Sequence, residues 1–145
     1  MSAQSRAGNA YAEQVAALGR ESGFPYLERR VLYGTNDRGD LTGTPGITWQ
    51  TKAEKGIDLA GGMKDLRGQA KTNGDTVAVL VNKGRGKPTA KSYATMDLDL
   101  CFLLLRAAGF GQPLGEDEVR HLYGGELRPP AIAPPRGPAE REPLP

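Results

Sequence analysis

The segment Thr76-Val-Ala-Val-Leu-Val81 is a nearly unbroken apolar run rich in β-branched residues. A strand with one wet face alternates apolar and polar side chains, so a continuous run suits a strand covered on both faces. Such a strand needs a packing layer on each side of its sheet, and the neighbouring sequence supplies candidates. Upstream, Ile57, Leu59, Met63, Leu66 and Ala70 have the spacing of an amphipathic helix running to about Thr72. Gly61, Gly62 and Gly68 weaken it, and Asn73-Gly74 closes it. Earlier still, Arg6 to Ser22 is Ala-rich with Tyr11, Val15 and Leu18 at helical spacing, and Gly23 is a natural stop. Further strands are expected over Leu27–Tyr33, Gly46–Lys55 and Ser92–Met96. Asp97 is placed to cap a helix from Leu98 to Ala108 that Gly109 ends, and a short helix is expected over Gly115–Tyr123. The expected class is α/β, a mixed sheet flanked by helices.

A chain of 145 residues suits one domain with one modest core. Eight of its eleven prolines follow Gly111, so residues 1–111 are expected to form the domain and 112–145 a short helix with a disordered Pro-rich tail. Up to Gly111 there are fifteen Lys and Arg against eleven Asp and Glu, which makes the ordered part about +4. That balance suits a polyanionic partner. The single cysteine, Cys101, rules out an intrachain disulfide and leaves no cysteine cluster for zinc. No apolar run approaches the ~20 residues that span a bilayer, and the N-terminus lacks the apolar stretch of a secretory signal. A cytoplasmic setting without membrane contact is the expectation.

The chemistry-bearing stretch is Gly34-Thr-Asn-Asp-Arg-Gly-Asp40 followed by Gly46-Ile-Thr-Trp-Gln-Thr-Lys52. Side chains two apart on a strand share a face, so Gln50 and Lys52 stand together. Ile47, Trp49, Thr51 and Ala53 fall on the other face, giving an apolar underside and a polar, reactive upper side. Turn residues between Asn36 and Gly46 allow Asp40 to approach that strand. A hard cation wants oxygen ligands: Asp40 offers a carboxylate, Gln50 an amide oxygen and Thr51 its backbone carbonyl. Lys52 is then placed to orient or activate a water and to offset charge on a phosphate. Each residue also has an ordinary reading, Asp40 as a turn former and Gln50 with Lys52 as a solvated strand face.

From Arg6 to Asp97 the chain resembles the PD-(D/E)XK nucleases, and among them the archaeal-type Holliday junction resolvases. The family's order is an early helix bearing a Glu, a strand, a Gly- and Asp-containing motif, Glu-x-Lys on the next strand, then a helix and further strands. Glu13 in the first expected helix, Asp40, and Gln50-Thr-Lys52 fall at the matching places. The residue before Asp40 is Gly39 rather than Pro, and Gln50 stands for the usual Glu, removing one negative charge. The resemblance implies a restriction-endonuclease-like fold and a catalytic set of Glu13, Asp40, Gln50 and Lys52. Metal ligands would be Asp40, Gln50, Thr51 and Glu13, with Mg²⁺ as cofactor and Mn²⁺ as the alternative. It also implies hydrolysis of DNA, branched junctions included, by a homodimer whose dyad relates two cuts. The apolar helix from Leu98 is a candidate dimer surface. Nicking, repair or restriction-type cutting is the nearest alternative, and a DNA-binding or scaffolding protein without hydrolysis is another.

Lys83-Gly-Arg-Gly-Lys-Pro-Thr-Ala-Lys91 is a glycine-rich basic loop. Lys83, Arg85, Lys87 and Lys91 read as phosphate contacts or equally as a solvated connection. Arg29 and Arg30, on the first expected strand, read as phosphate contacts or as a solvated strand face. Asp37 is read as a turn former and Trp49 as core.

Overall fold

The computed structural model describes residues 3–31 and 37–132. In chain order it contains helix α1 (Ala3–Glu21), strands β1 (Glu28–Arg29), β2 (Leu41–Thr42) and β3 (Ile47–Lys52), and helix α2 (Leu59–Asn73). Then come β4 (Val77–Asn82), a 3₁₀ turn (Thr89–Lys91), β5 (Tyr93–Thr95), α3 (Leu98–Ala107) and α4 (Glu116–Leu122). The chain is a mixed α/β structure with two small sheets. β3, β4 and β5 form a three-stranded sheet with β3 parallel and β5 antiparallel to β4, while β1 and β2 make a separate antiparallel ribbon.

The apolar run is β4, and both of its faces are covered as its composition requires. Val79 and Val81 join Tyr11, Ala12, Val15, Ala16, Leu27 and Leu41 beneath α1, with Trp49 and Ala53 packed against the same cluster. Leu80 points the other way, into Met63 and Leu66 of α2. Burying a side chain of this size stabilises by roughly 1.5–3 kcal/mol. The glycines that weaken α2 in isolation are partly packing devices. A Cβ on Gly62 would sit 2.8 Å from the Leu80 side chain, so glycine lets the helix close on the strand. Asp58 caps α2 by accepting from the Gly61 amide at 2.9 Å, and Gly74 ends it in the left-handed region at φ +73°.

Three local expectations change. The polar face of β3 is not a wet face: Thr48 is 1% and Gln50 8% exposed, because α2 lies over them. Thr48 tolerates this burial by donating to Asp75 Oδ2 at 2.8 Å and accepting from Asn73 Nδ2 at 2.9 Å. Asp97 precedes α3, but Arg67 takes its carboxylate through two bonds of 2.5 and 3.2 Å, so no side-chain cap forms there. The first strand is two residues long, and Leu32 and Tyr33 of the expected segment lie outside the described residues.

Past Gly111 the chain returns to the domain. Thr76 donates to the His121 carbonyl at 2.8 Å, Arg106 pairs with Glu118, and Leu122 is buried. Residues 133–145, the greater part of the expected tail, lie outside the described residues. On α3, Leu98, Phe102 and Leu105 stand exposed at helical spacing. Among the described residues no helix is long and apolar enough to cross a membrane.

A candidate active site at the outer edge of β3

β3 is bordered by β4 on one side and by residues 37–40 on the other. The Asp40 amide donates to the Trp49 carbonyl at 2.8 Å, and the Asp40 carbonyl accepts from Arg30 at 2.8 Å, so this segment bridges β3 and the chain beyond β1. Gly39 makes the approach possible. Its φ is +97°, and a Cβ there would lie 2.4 Å from the Trp49 carbonyl oxygen. Any side chain would be both strained and obstructed.

That approach delivers Asp40 to the strand. Its Oδ2 accepts from the Thr51 amide at 2.7 Å and from the Thr51 hydroxyl at 3.1 Å. The carbonyl and amide of one strand residue face the same edge, and successive residues alternate. The Lys52 carbonyl accepts from Lys83 at 2.9 Å on the β4 side, so the Thr51 carbonyl is directed to the Asp40 edge. Burial pushes the Asp40 carboxyl above the usual carboxylate range. The two Thr51 bonds oppose this, neighbouring Asp37 adds to it, and the Lys52 ammonium lowers it. A buried acid so placed, beside a lysine, is a recurrent sign of a functional site.

Three amide oxygens in this region are buried without a hydrogen-bond partner among the described residues: Gln50 Oε1, Gln69 Oε1 and Asn82 Oδ1. Asn82 faces Lys52 in the parallel register, hence on the same side of the sheet. Gln69 belongs to the buried stripe of α2 with Met63 and Leu66, the helix covering that side. Asp37 forms the turn expected of it by accepting from the Gly39 amide at 3.0 Å, and its other oxygen accepts from Gln69 Nε2 at 2.7 Å. Asp40 is bonded to Thr51 with Lys52 within electrostatic reach, Gln50 lies on the α2 face of the same strand, and Gln69 and Asn82, from outside the sequence-derived set, line that face. Gln69 carried a usable signal, since it occupies a position within an otherwise apolar helical stripe.

The other expected residues lie elsewhere. Glu13 sits on the outer flank of α1, where Arg20 pairs with it at 3.1 Å, and no hydrogen bond or ion pair joins it to the Asp40 group. The helix presents Tyr11, Ala12, Val15 and Ala16 to the sheet, which turns Glu13 aside. Arg30 is within electrostatic reach of Asp75, and Arg29 is half-buried on β1. In the basic loop, Arg85, Lys87 and Lys91 are exposed, whereas the Lys83 ammonium lies 6.0 Å from the Tyr11 ring centre.

Among the described residues no three His, Cys, Asp or Glu side chains cluster so as to hold a metal ion. A cation at Asp40 would therefore depend on amide and backbone oxygens, and the orphaned, buried Gln50 oxygen fits that need. No family model, curated protein or solved structure matches this chain.

Proposed function

We propose that the chain is a divalent-cation-dependent DNA endonuclease of the PD-(D/E)XK kind, resembling Holliday junction resolvases and acting as a homodimer. The observation that carries this reading is the Asp40 carboxylate fixed by the Thr51 amide and hydroxyl, beside Lys52 and a buried, unpartnered Gln50 oxygen. Asp40, Gln50 and the Thr51 carbonyl would hold Mg²⁺ or Mn²⁺. The cation supplies Lewis acidity toward the phosphoryl oxygen and a lower pKa for a bound water. Thr51 fixes the carboxylate orientation, and α2 excludes bulk solvent from the Gln50 face. Lys52 holds the attacking water and offsets the negative charge that grows on phosphorus-bound oxygens as the phosphodiester P–O bond breaks. Glu13 contributes to this site only if it leaves Arg20. The exposed Leu98, Phe102 and Leu105 face of α3 offers the apolar surface for a dimer.

The test is cleavage of a synthetic four-way junction and of linear duplex, without metal and with Mg²⁺ or Mn²⁺. Mg²⁺-dependent cutting of the junction supports the full reading, and cutting of duplex alone supports the nuclease chemistry with another substrate. Absence of cutting with either metal removes the enzymatic reading. The neutral Gln50 and the Glu13–Arg20 pair favour one second reading, a DNA-binding protein without hydrolysis, which junction binding without cutting would support.

Two further outcomes are expected. Gln50→Glu adds a charged ligand and should lower the Mg²⁺ concentration for half-maximal cleavage by about tenfold, since ligand charge tunes cation affinity. A metal titration that shows no change, or weaker use of Mg²⁺, would take Gln50 out of the ligand set. Neutralising Arg85, Lys87 and Lys91 should weaken DNA binding regardless of sequence and flatten its salt dependence by about one unit per lost phosphate contact. Replacing Lys83, held against Tyr11, should change that slope less. Binding isotherms at several salt concentrations check both.

A further inference from the structure

Gln69 is only 3% exposed, and the orientation of its amide is determined. Nε2 donates to Asp37 Oδ2 at 2.7 Å, and rotating the amide would set its oxygen against a carboxylate oxygen. Oε1 is therefore committed to the opposite direction, where it meets no donor among the described residues. A buried carbonyl left unpaired is a cost to folding, and Gln50 Oε1 repeats that cost in the same layer between α2 and the sheet. Two carbonyl oxygens cannot satisfy each other, so the layer calls for an electropositive occupant.

The location of that occupant follows from topology. α2 is the crossover between parallel β3 and β4 and so runs antiparallel to them. Asn73, near the end of α2, bonds Thr48 near the start of β3. Gln69 lies one turn back along the helix, displaced toward the carboxyl end of β3 where Gln50, Thr51 and Lys52 follow. Asp37, which holds the Gln69 amide, is near enough to Asp40 to act on its charge.

We propose that Gln69 is a further ligand of the divalent cation at Asp40, with its carboxamide oxygen joining that of Gln50 and Asp37 holding the amide in the ligating orientation. The inference rests on the reading of Asp40 and Gln50 as a cation site. It assigns to α2 the part that Glu13 does not play in this arrangement. The ligands are then one carboxylate, two carboxamides and a backbone carbonyl, a set that binds through oxygen number more than through charge.

The experiment is Mn²⁺ binding to the full chain, read by electron paramagnetic resonance of the free ion and by the Mn²⁺-induced rise in melting temperature, without DNA. Gln69→Met preserves bulk and removes the oxygen, and should weaken Mn²⁺ by about 10–100-fold. Gln69→Asn withdraws the oxygen by one methylene and should do the same, which provides a second variant should the methionine protein fold poorly. Asp37→Asn frees the amide to rotate and should give a smaller loss. Asp40→Ala is the reference for the whole site. If Asp40→Ala loses Mn²⁺ while both Gln69 variants bind like the parent, a buried water satisfies Gln69 and the inference is overturned, with the cation site intact. If Asp40→Ala also binds like the parent, or the parent binds no Mn²⁺, the cation site itself falls and the inference with it.

Discussion

Asp40→Asn should abolish phosphodiester cleavage, by about 10³-fold or more, and yet give a protein that melts at a higher temperature than the parent at neutral pH. The first effect follows from removing the one carboxylate among the proposed ligands. The second follows from burial. The folded-state pKa of Asp40 is raised above its ordinary value, so the folded protein holds that proton more tightly than the unfolded chain. Its favourable contribution is present below the ordinary aspartate range and is lost as pH rises through the raised folded value. At neutral pH the ionised carboxylate is a cost, and Asn removes it while its Oδ1 still accepts from Thr51. Melting curves from acid to neutral pH should therefore diverge, with the parent falling relative to the variant as pH rises. Saturating Mn²⁺ should narrow or reverse the difference, because the parent, which keeps the carboxylate ligand, gains more from the ion. A parent that is the more stable at neutral pH without metal would show that Asp40 is paired rather than penalised.

Lys52→Met is the second large effect, a loss of about 10²–10³-fold in cleavage with DNA binding nearly retained. The lysine ammonium lowers the Asp40 pKa, so its removal should move that carboxyl further upward and shift the acid limb of the pH–rate profile to higher pH. Carboxyl carbon NMR of Asp40 in the metal-free protein gives the same answer without turnover. An unchanged Asp40 titration together with unchanged cleavage would place Lys52 outside the site.

Much of the architecture was legible because its causes are local. The apolar run of β4 demanded two covering layers, and α1 and α2 provide them. Gly74 and Gly109 stop helices through positive φ, a property carried by the residue itself. The face of β3 was legible only in part, for a physical reason. Alternation distinguishes two sides but cannot tell a wet polar side from one whose hydroxyl and amide groups are paired by a covering helix, as Asn73 and Asp75 pair Thr48. Glu13 was beyond reach because its direction depends on which stripe of α1 is buried and on Arg20, seven residues further along. Gln69 was legible in part, since it falls three residues after Leu66 on the apolar stripe of α2, while its bond to Asp37 depends on how the helix packs. Gly39 shows the opposite case. Proline, with φ fixed near −65°, could not occupy a position held at φ +97°.

The pairing of residues 37–40 with the edge of β3 bears on how the molecule acquires its site during folding. Asp40 and Thr51 are eleven residues apart, so their contact closes a short loop at small entropic cost. The β3–β4 pairing joins Ile47 to Val77, and the Asp37–Gln69 bond spans 32 positions, so both must await the α2 crossover. Loop closure therefore favours seating the acid early on a lone strand, with the enclosing amides expected only with the sheet. Competence to hold the proposed ion would then be a late, all-or-none property of the finished domain. Amide exchange at Thr51 should report an environment that forms before the one around Gln69 closes.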